Sequence, residues 1–378
     1  MIKCTHIRKE GINMYYTEIG KIIEAGLDKD TEKVRSFAML LAKKMSDDGE
    51  IRGSQRIEGI LKQSKGNPVR TDSLVPPPVD QESRLNIVEI DNNPISTELI
   101  LSEPVEMKLK DFLDTIENKS RMQELGLDFN QSLLLYGAPG CGKTSAAKYV
   151  AEMVGLPLVV ARLDTLISSL LGNTAKNIHK IFDYAKKQRC VLFLDEFDAI
   201  AKARDDQHEL GELKRVVNSL LQNMDDYCKD GILIAATNHH ELLDRAIWRR
   251  FQTVIEMPKP EIEEIRKMTA RIPQDISTVS IKDSQWVKIY QSMLGLSYSD
   301  IKNITNNVSK KIVINDKRDI CFADFVAEIY LFKNHGDKSL DAMIRYMNDV
   351  GVPKKYMLSF FNISRRKLDA CLGGTIDE

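Results

Sequence analysis

Gly137-Ala138-Pro139-Gly140-Cys141-Gly142-Lys143-Thr144 is the stretch on which the fold turns. It follows an apolar run, Ser132–Tyr136, and opens a segment, Ser145–Met153, with helical periodicity. A glycine-rich turn between a buried strand and a helix lets backbone N–H groups close around phosphates. The helix N-terminus adds favourable positive potential there. The pattern G-x-x-x-x-G-K-[ST] makes Gly137, Ala138, Pro139, Gly140, Cys141, Gly142, Lys143, Thr144 and the adjoining Ser145 candidates for a phosphate cradle. Lys143 is expected to reach the β- and γ-phosphates of ATP, and the Thr144 hydroxyl to complete a Mg²⁺ shell.

Two more apolar runs end in polar residues. Val191-Leu192-Phe193-Leu194 leads into Asp195-Glu196, at the strand end where α/β sheets place ligand groups. Asp195 is expected to hold Mg²⁺, usually through water, and Glu196 to polarise the attacking water as a base. Gly231–Thr237 ends at Asn238. An amide there can hydrogen-bond both a γ-phosphate and the attacking water.

Outward from these segments, short β-branched or leucine-rich runs alternate with amphipathic helices from about 98 to 259. Strands are expected at Ser132–Tyr136, Leu158–Ala161, Val191–Leu194, Ile232–Ala235 and Thr253–Glu256. The alternation predicts an α/β fold, a parallel sheet with helices on both faces. Residues 260–335 read as a small helical lid and 336–378 as a helical tail. Residues 1–66 read as a helical bundle, with Val34, Phe37, Ala38, Leu41 and Met45 at helical spacing and Asp30 as a cap. Between bundle and sheet, 67–97 is a stiff linker containing Pro68, Pro76, Pro77 and Pro78, with a possible strand at Leu85–Ile90.

From Leu99 to Phe332 the chain resembles the AAA ATPase family. The run Asp195-Glu196-Phe197-Asp198-Ala199-Ile200 is similar to that family's acidic strand, and Gly211–Asp225 to the helix after it. Ala236-Thr237-Asn238 is similar to its first sensor strand. Leu243–Phe251 resembles its arginine-finger segment, in the short R-R-F form of the meiotic clade, whose members sever microtubules or disassemble membrane-remodelling filaments. The resemblance implies that Arg249 and Arg250 reach the γ-phosphate bound by a neighbouring subunit. Delocalised positive charge placed there stabilises phosphoryl transfer by roughly 10³–10⁵ in rate. It further implies a homo-oligomeric ring, a hexamer, that remodels, unfolds or regulates a protein partner. Gly295–Ile301 is similar to the lid helix start, without the sensor arginine of other branches. The family's substrate-gripping pore loop reads aromatic-hydrophobic-Gly, where this chain has Leu170-Leu171-Gly172. Leucine lacks the aromatic stacking face.

The 378 residues are enough for two or three modules. Lys+Arg 54 against Asp+Glu 55 gives no global pull toward nucleic acid or anionic lipid. Six scattered cysteines, with no CxxC pair, argue against a zinc cage or disulfide framework. No apolar run approaches the roughly 18–20 residues of a membrane span, and the N-terminus lacks a secretory core. A cytoplasmic protein of bacterial type, without a membrane partner, is the expectation. His208-Glu209 and His240-Glu241 do not continue to H-E-x-x-H, since Glu212 and Asp244 stand four residues after the histidines. A protease would therefore be a separately encoded partner, and a subtilisin-like serine protease is one such effector by analogy. The tail, with Arg365, Arg366 and Lys367 starting its last helix, has helix-turn-helix spacing, which leaves a DNA-associated ATPase as an alternative.

Overall fold

The computed structural model describes residues 99–373 apart from 128, 169–170, 201–209, 274, 316–318 and 338. It also describes 77–79, 86–91 and scattered helical residues between 19 and 57. The chain divides into two units, Met1–Ser73 and Leu74–Glu378. In the first unit Val34, Phe37, Ala38, Leu41 and Met45 are all helical, and Leu41 and Ala42 are buried. Lys21 Nζ sits 5.7 Å from the centre of the Phe37 ring. Asp30 and the prolines 68 and 76 lie outside the described residues.

The second unit is built on a six-stranded sheet. Its strands are β1 (Glu89–Asp91), β2 (Ser132–Tyr136), β3 (Leu158–Arg162), β4 (Val191–Asp195), β5 (Ile232–Thr237) and β6 (Thr253–Glu256). They lie in the order β1-β3-β4-β5-β2-β6. From β3 to β6 all neighbours pair in parallel, while β1 runs antiparallel along the outer side of β3. Strands expected from sequence at 158–161, 191–194 and 232–235 run one or two residues further. Their polar ends still pair through the backbone, whose hydrogen bonding does not depend on side-chain polarity.

The helices that serve the sheet include α1 (Glu103–Glu117), α2 (Lys119–Glu124), α3 (Lys143–Val154), α4 (Leu163–Ser168), α5 (Leu171–Gln188), α6 (Leu210–Tyr227) and the single turn α7 (Arg245–Trp248). The central strands β2 to β5 are apolar along their middles because both faces are covered, but alternate residues serve different cores. Leu134, Leu192, Leu194, Leu233 and Ala235 face Ile181, Phe182, Val217 and Leu220 of α5 and α6. Leu133, Leu135, Phe193 and Ile234 face Leu109 and Phe112 of α1 and Ala147 and Val150 of α3. Of the three residues expected to form a pore loop, Leu171 and Gly172 open α5, and Leu170 lies outside the described residues.

After the sheet come α8 (Ile262–Thr269), α9 (Asp283–Met293), α10 (Tyr298–Ile314) and α11 (Phe322–Lys333). The helix α10 begins at a capping box, in which Ser297 Oγ accepts from Asp300 N and Ser297 N donates to the Asp300 carboxylate. The chain closes with α12 (Leu340–Val350), α13 (Lys354–Phe361) and α14 (Arg365–Cys371). Ile344, Met347, Met357 and Leu368 of these last helices are fully buried in the same core as Ile289, Ile301 and Phe325. Tail and lid therefore share one apolar interior. Among the described residues no helix is long and apolar enough to cross a membrane.

The shared interior makes a prediction about residues remote from the sheet. Ile344→Ala should destabilise the protein by about 2–5 kcal/mol, the usual cost of hollowing a full core position. Thermal denaturation of the variant should show a clearly lowered Tm, and an unchanged Tm would show that 340–371 is peripheral.

Candidate active site

Parallel register brings the candidate residues together. Tyr136 lies level with Thr237, Leu194 with Ala235, and Arg162 with Asp195. Gly137, Asp195, Glu196, Asn238 and Arg162 thus stand along one edge of the sheet, at the carboxyl ends of four adjacent strands. This is where open α/β sheets hold ligands.

The loop leaving β2 has a geometry that only glycine enters easily. Gly137, Gly140 and Gly142 have φ of 143°, 74° and 90°, values that L side chains rarely adopt. A Cβ on Gly137 would collide with the Met257 carbonyl, and one on Gly140 would sit 2.6 Å from Ser297 Oγ. Gly142 is the N-cap of α3 and offers no side chain to the first-turn N–H groups. Those donors point out from a twelve-residue helix, with Thr144 and Ser145 exposed beside them. The start of α10 closes over this loop, with Ser299 N donating to Gly140 O at 3.2 Å.

Lys143 is buried, and its ammonium donates to Gly137 O at 2.7 Å and Ala138 O at 3.0 Å. Burial pulls its pKa below the usual lysine range, while the neighbouring Cys141, Asp195 and Asp198 oppose that fall. Buried positive charge inside a ring of backbone dipoles suits a phosphate oxygen, which is a stronger acceptor than the carbonyls.

At the end of β4, Asp195 accepts a hydrogen bond from Glu196 N at 2.9 Å. Burial raises its pKa, and that bond, then Arg162 and Lys143, counter the rise. Glu196 has φ 54°, a left-handed conformation costing a non-glycine residue on the order of 1–3 kcal/mol. Arg162 NH2 stands 3.5 Å from both Glu196 Oε1 and Asp164 Oδ2. A hydrogen bond with Asp164 is the largest cause raising the Glu196 pKa, ahead of burial. The exit of β4 is fastened to β5: Phe197 N donates to Ala236 O, and Thr237 Oγ1 donates to the buried Asp198 at 3.0 Å. Asn238, half-buried, directly follows this fastened pair.

The arginine segment is built around the short turn α7. Asp244 caps it, accepting from Ile247 N at 2.9 Å. The two arginines differ. Arg250 Nε lies 3.0 Å from Asp225 Oδ1, and its NH1 donates to Ala246 O at 2.8 Å. Its carbonyl accepts from Ser132 Oγ at 2.9 Å. Arg249 is exposed, and its guanidinium makes no hydrogen bond among the described residues.

For Mg²⁺, the fit lies in oxygen donors that would complement a phosphate: the exposed Thr144 hydroxyl at the helix start and the Asp195 carboxylate at the end of β4. Among the described residues no group of three or more His, Cys, Asp and Glu could hold a metal alone. Such a partial donor set matches an ion that shares its shell with substrate phosphates and water.

Arg162, Asp164, Asp198 and Thr237 belong to this site but carry no role in the sequence reading. The available signal was positional, since each follows or ends a strand whose carboxyl end faces the loop.

Residues 133–259 match the family described as "ATPase family associated with various cellular activities (AAA)". An uncharacterised AAA family ATPase, y4kL of Sinorhizobium fredii, is 41% identical over 204 residues, covering 54% of this chain and 61% of that protein. Proteasome-activating nucleotidase 1 of Haloferax volcanii is 31% identical over 261 residues, covering 66% of this chain and 64% of that protein. The chain therefore spans less than two thirds of either curated relative. The crystal structure of the FIGL-1 AAA domain superposes with a TM-score of 0.55 at 20% identity, covering 70% of this chain and 93% of that one. That likeness is one of fold.

The loop geometry is directly testable. Gly140→Ala introduces a side chain at φ 74° against Ser297, with strain of about 1–3 kcal/mol. Where that strain falls on the bound conformation, the Kd for ADP should rise about tenfold or more. Titration with a fluorescent ADP analogue measures it, and unchanged affinity would refute the cradle.

Proposed function

From the premise that the chain carries an AAA ATPase domain, we propose that it hydrolyses Mg-ATP as a subunit of a homo-oligomeric ring and acts on a protein partner. The observation that carries this reading is the common edge at which Lys143, Asp195, Glu196 and Asn238 meet the free N-terminus of α3. Gly137–Ser145 bind the phosphates, with Lys143 transferring its donors from the loop carbonyls to the β/γ oxygens. Thr144 and Asp195 hold Mg²⁺, which when bound neutralises phosphate charge. Glu196 orients and polarises the attacking water, and Asn238 fixes it against the γ-phosphate.

Arg249 supplies the finger to the neighbouring subunit. Its exposure and the lack of a hydrogen-bond partner for its guanidinium among the described residues support that role, whereas Arg250 is held to Asp225 and to the end of α7 as a strut. A ring follows from a finger that faces outward, and a hexamer is its proposed size. The protein partner is proposed from relatives that include a proteasome-activating nucleotidase and an ATP-dependent zinc metalloprotease. The chain could thus remodel a substrate or control a separate effector such as a serine protease, from a cytoplasmic location. A nucleic-acid partner would rest on Arg365, Arg366 and Lys367. Part of that basic charge is balanced inside the tail, where Lys354 meets Asp369 at 2.8 Å and Arg365 approaches it at 3.9 Å.

Lys143→Ala should abolish tight ATP binding. Glu196→Gln should keep ATP and lose turnover by about 10²-fold or more. Equal loss of binding in both variants would remove Glu196 from the chemistry.

The arginines should separate in a second pair of measurements. Arg249→Ala should cut turnover about 10³-fold or more with Tm unchanged. Arg250→Ala should lower Tm as well as activity. Glu196→Gln subunits mixed with Arg249→Ala subunits should recover turnover, because the first lend their fingers to the second. No recovery at any protein concentration would refute shared sites.

A further inference from the structure

The two residues flanking the arginine pair both rest on rings that adjoin this subunit's own nucleotide site. On one side, Trp248 packs edge-on against Tyr136, with centroids 5.6 Å apart at 77°. Tyr136 immediately precedes Gly137 of the phosphate loop. On the other, Phe251 meets Phe197 edge-on at 5.7 Å and 80°, and Phe197 immediately follows Glu196.

His240 completes the first contact. Two residues beyond Asn238, it lies 4.7 Å from the Tyr136 ring and 6.4 Å from Trp248, so three rings converge. Their polar ends are fixed as well. Trp248 Nε1 donates to Leu243 O at 3.1 Å, and Tyr136 OH donates to Glu256 at 3.4 Å. Phe197 and Phe251 are buried. Tyr136 and Trp248 are half-buried, Trp248 lying at the margin of the α5–α6 core, and His240 is exposed.

Ring pairs prefer particular mutual orientations over a few ångströms. A displacement of the phosphate loop or of the strand carrying Asn238 therefore changes the seat on which Trp248 rests. Arg249 follows Trp248 with no intervening residue and has nothing else within the described residues to hold its guanidinium.

We infer that Trp248, seated on Tyr136 and His240, is a positioning residue that aims Arg249 according to the occupancy of the same subunit's nucleotide site. Each subunit would then offer its finger to the neighbour only in the nucleotide state that sets the rings correctly. The inference rests on the shared-site reading above and adds a direction to it: occupancy in the subunit lending the finger governs hydrolysis in the one receiving it.

The experiment uses full-length chains. Arg249→Ala subunits receive, and Glu196→Gln subunits lend, with or without Lys143→Ala to empty the lender's own site. With Trp248 intact, emptying the lender should change the receivers' turnover about three- to tenfold, the range expected from repacking such ring pairs. Adding Trp248→Leu to the lender should erase that dependence on occupancy, and Trp248→Phe should restore it. A general structural defect would lower turnover with both lenders and leave their ratio unaltered.

A second measurement needs no ring. The chain has two tryptophans, so in a Trp286→Phe protein the emission comes from Trp248 alone. Mg-ADP should shift that emission, and His240→Ala should remove the shift while ADP affinity stays the same. An occupancy effect that survives Trp248→Leu, or Trp248 emission indifferent to Mg-ADP, overturns the inference. Lenders that never support turnover, with the emission shift present, overturn the shared site and with it the direction of control.

Discussion

Everything in the site hangs on one backbone constraint, the parallel register that sets the carboxyl ends of β2, β3, β4 and β5 side by side. Tyr136 opposite Thr237, and Arg162 opposite Asp195, leave no freedom over which residues emerge together. A slip of one residue in any strand would exchange its faces, sending its apolar side chains to the wrong core. The two cores resist that. Leu134 and Leu133 are both fully buried, yet one belongs to the α5–α6 side and the other to the α1–α3 side. Hydrophobic burial thus fixes register, and register fixes the chemistry.

Within that frame the polar groups are held by bonds between neighbouring strand exits. Thr237 ties β5 to Asp198, and the Phe197 amide ties the turn after β4 to Ala236. The left-handed φ of Glu196 persists because this turn is fastened on both sides. Asp164 and Arg162 then bias the Glu196 carboxyl from the neighbouring strand end, the first raising its proton affinity and the second lowering it. Lys143, by contrast, is governed by burial, which disfavours its charge and holds its pKa below the usual lysine range.

The arginine segment joins this frame from outside the sheet. It is clamped at Arg250 by Asp225, Ala246 and Ser132, and left open at Arg249. Ser132 is the first residue of the strand whose far end becomes the glycine-rich loop, so one strand supports both that loop and the segment proposed to reach a neighbour. The lid and the last three helices share a single interior, and the lid meets the loop through Ser297 and Ser299 at Gly140.

The sequence by itself determined the glycine-rich loop, the strands and the acidic and amide strand ends, because each is a local pattern: glycine spacing, apolar runs, and polar residues where those runs stop. It also carried the arginine pair, through a resemblance of ordered motifs. It did not separate Arg249 from Arg250, since adjacent arginines are chemically alike and only the position of Asp225, 25 residues away, distinguishes them. Nor could it show that Arg162 and Asp164 reach Glu196, or that Trp248 and Phe251 rest on Tyr136 and Phe197. Those contacts join segments about 30 to 110 residues apart, and no local periodicity records them. Tertiary structure decided them, because strand order and register, rather than residue type, bring such distant side chains within a few ångströms.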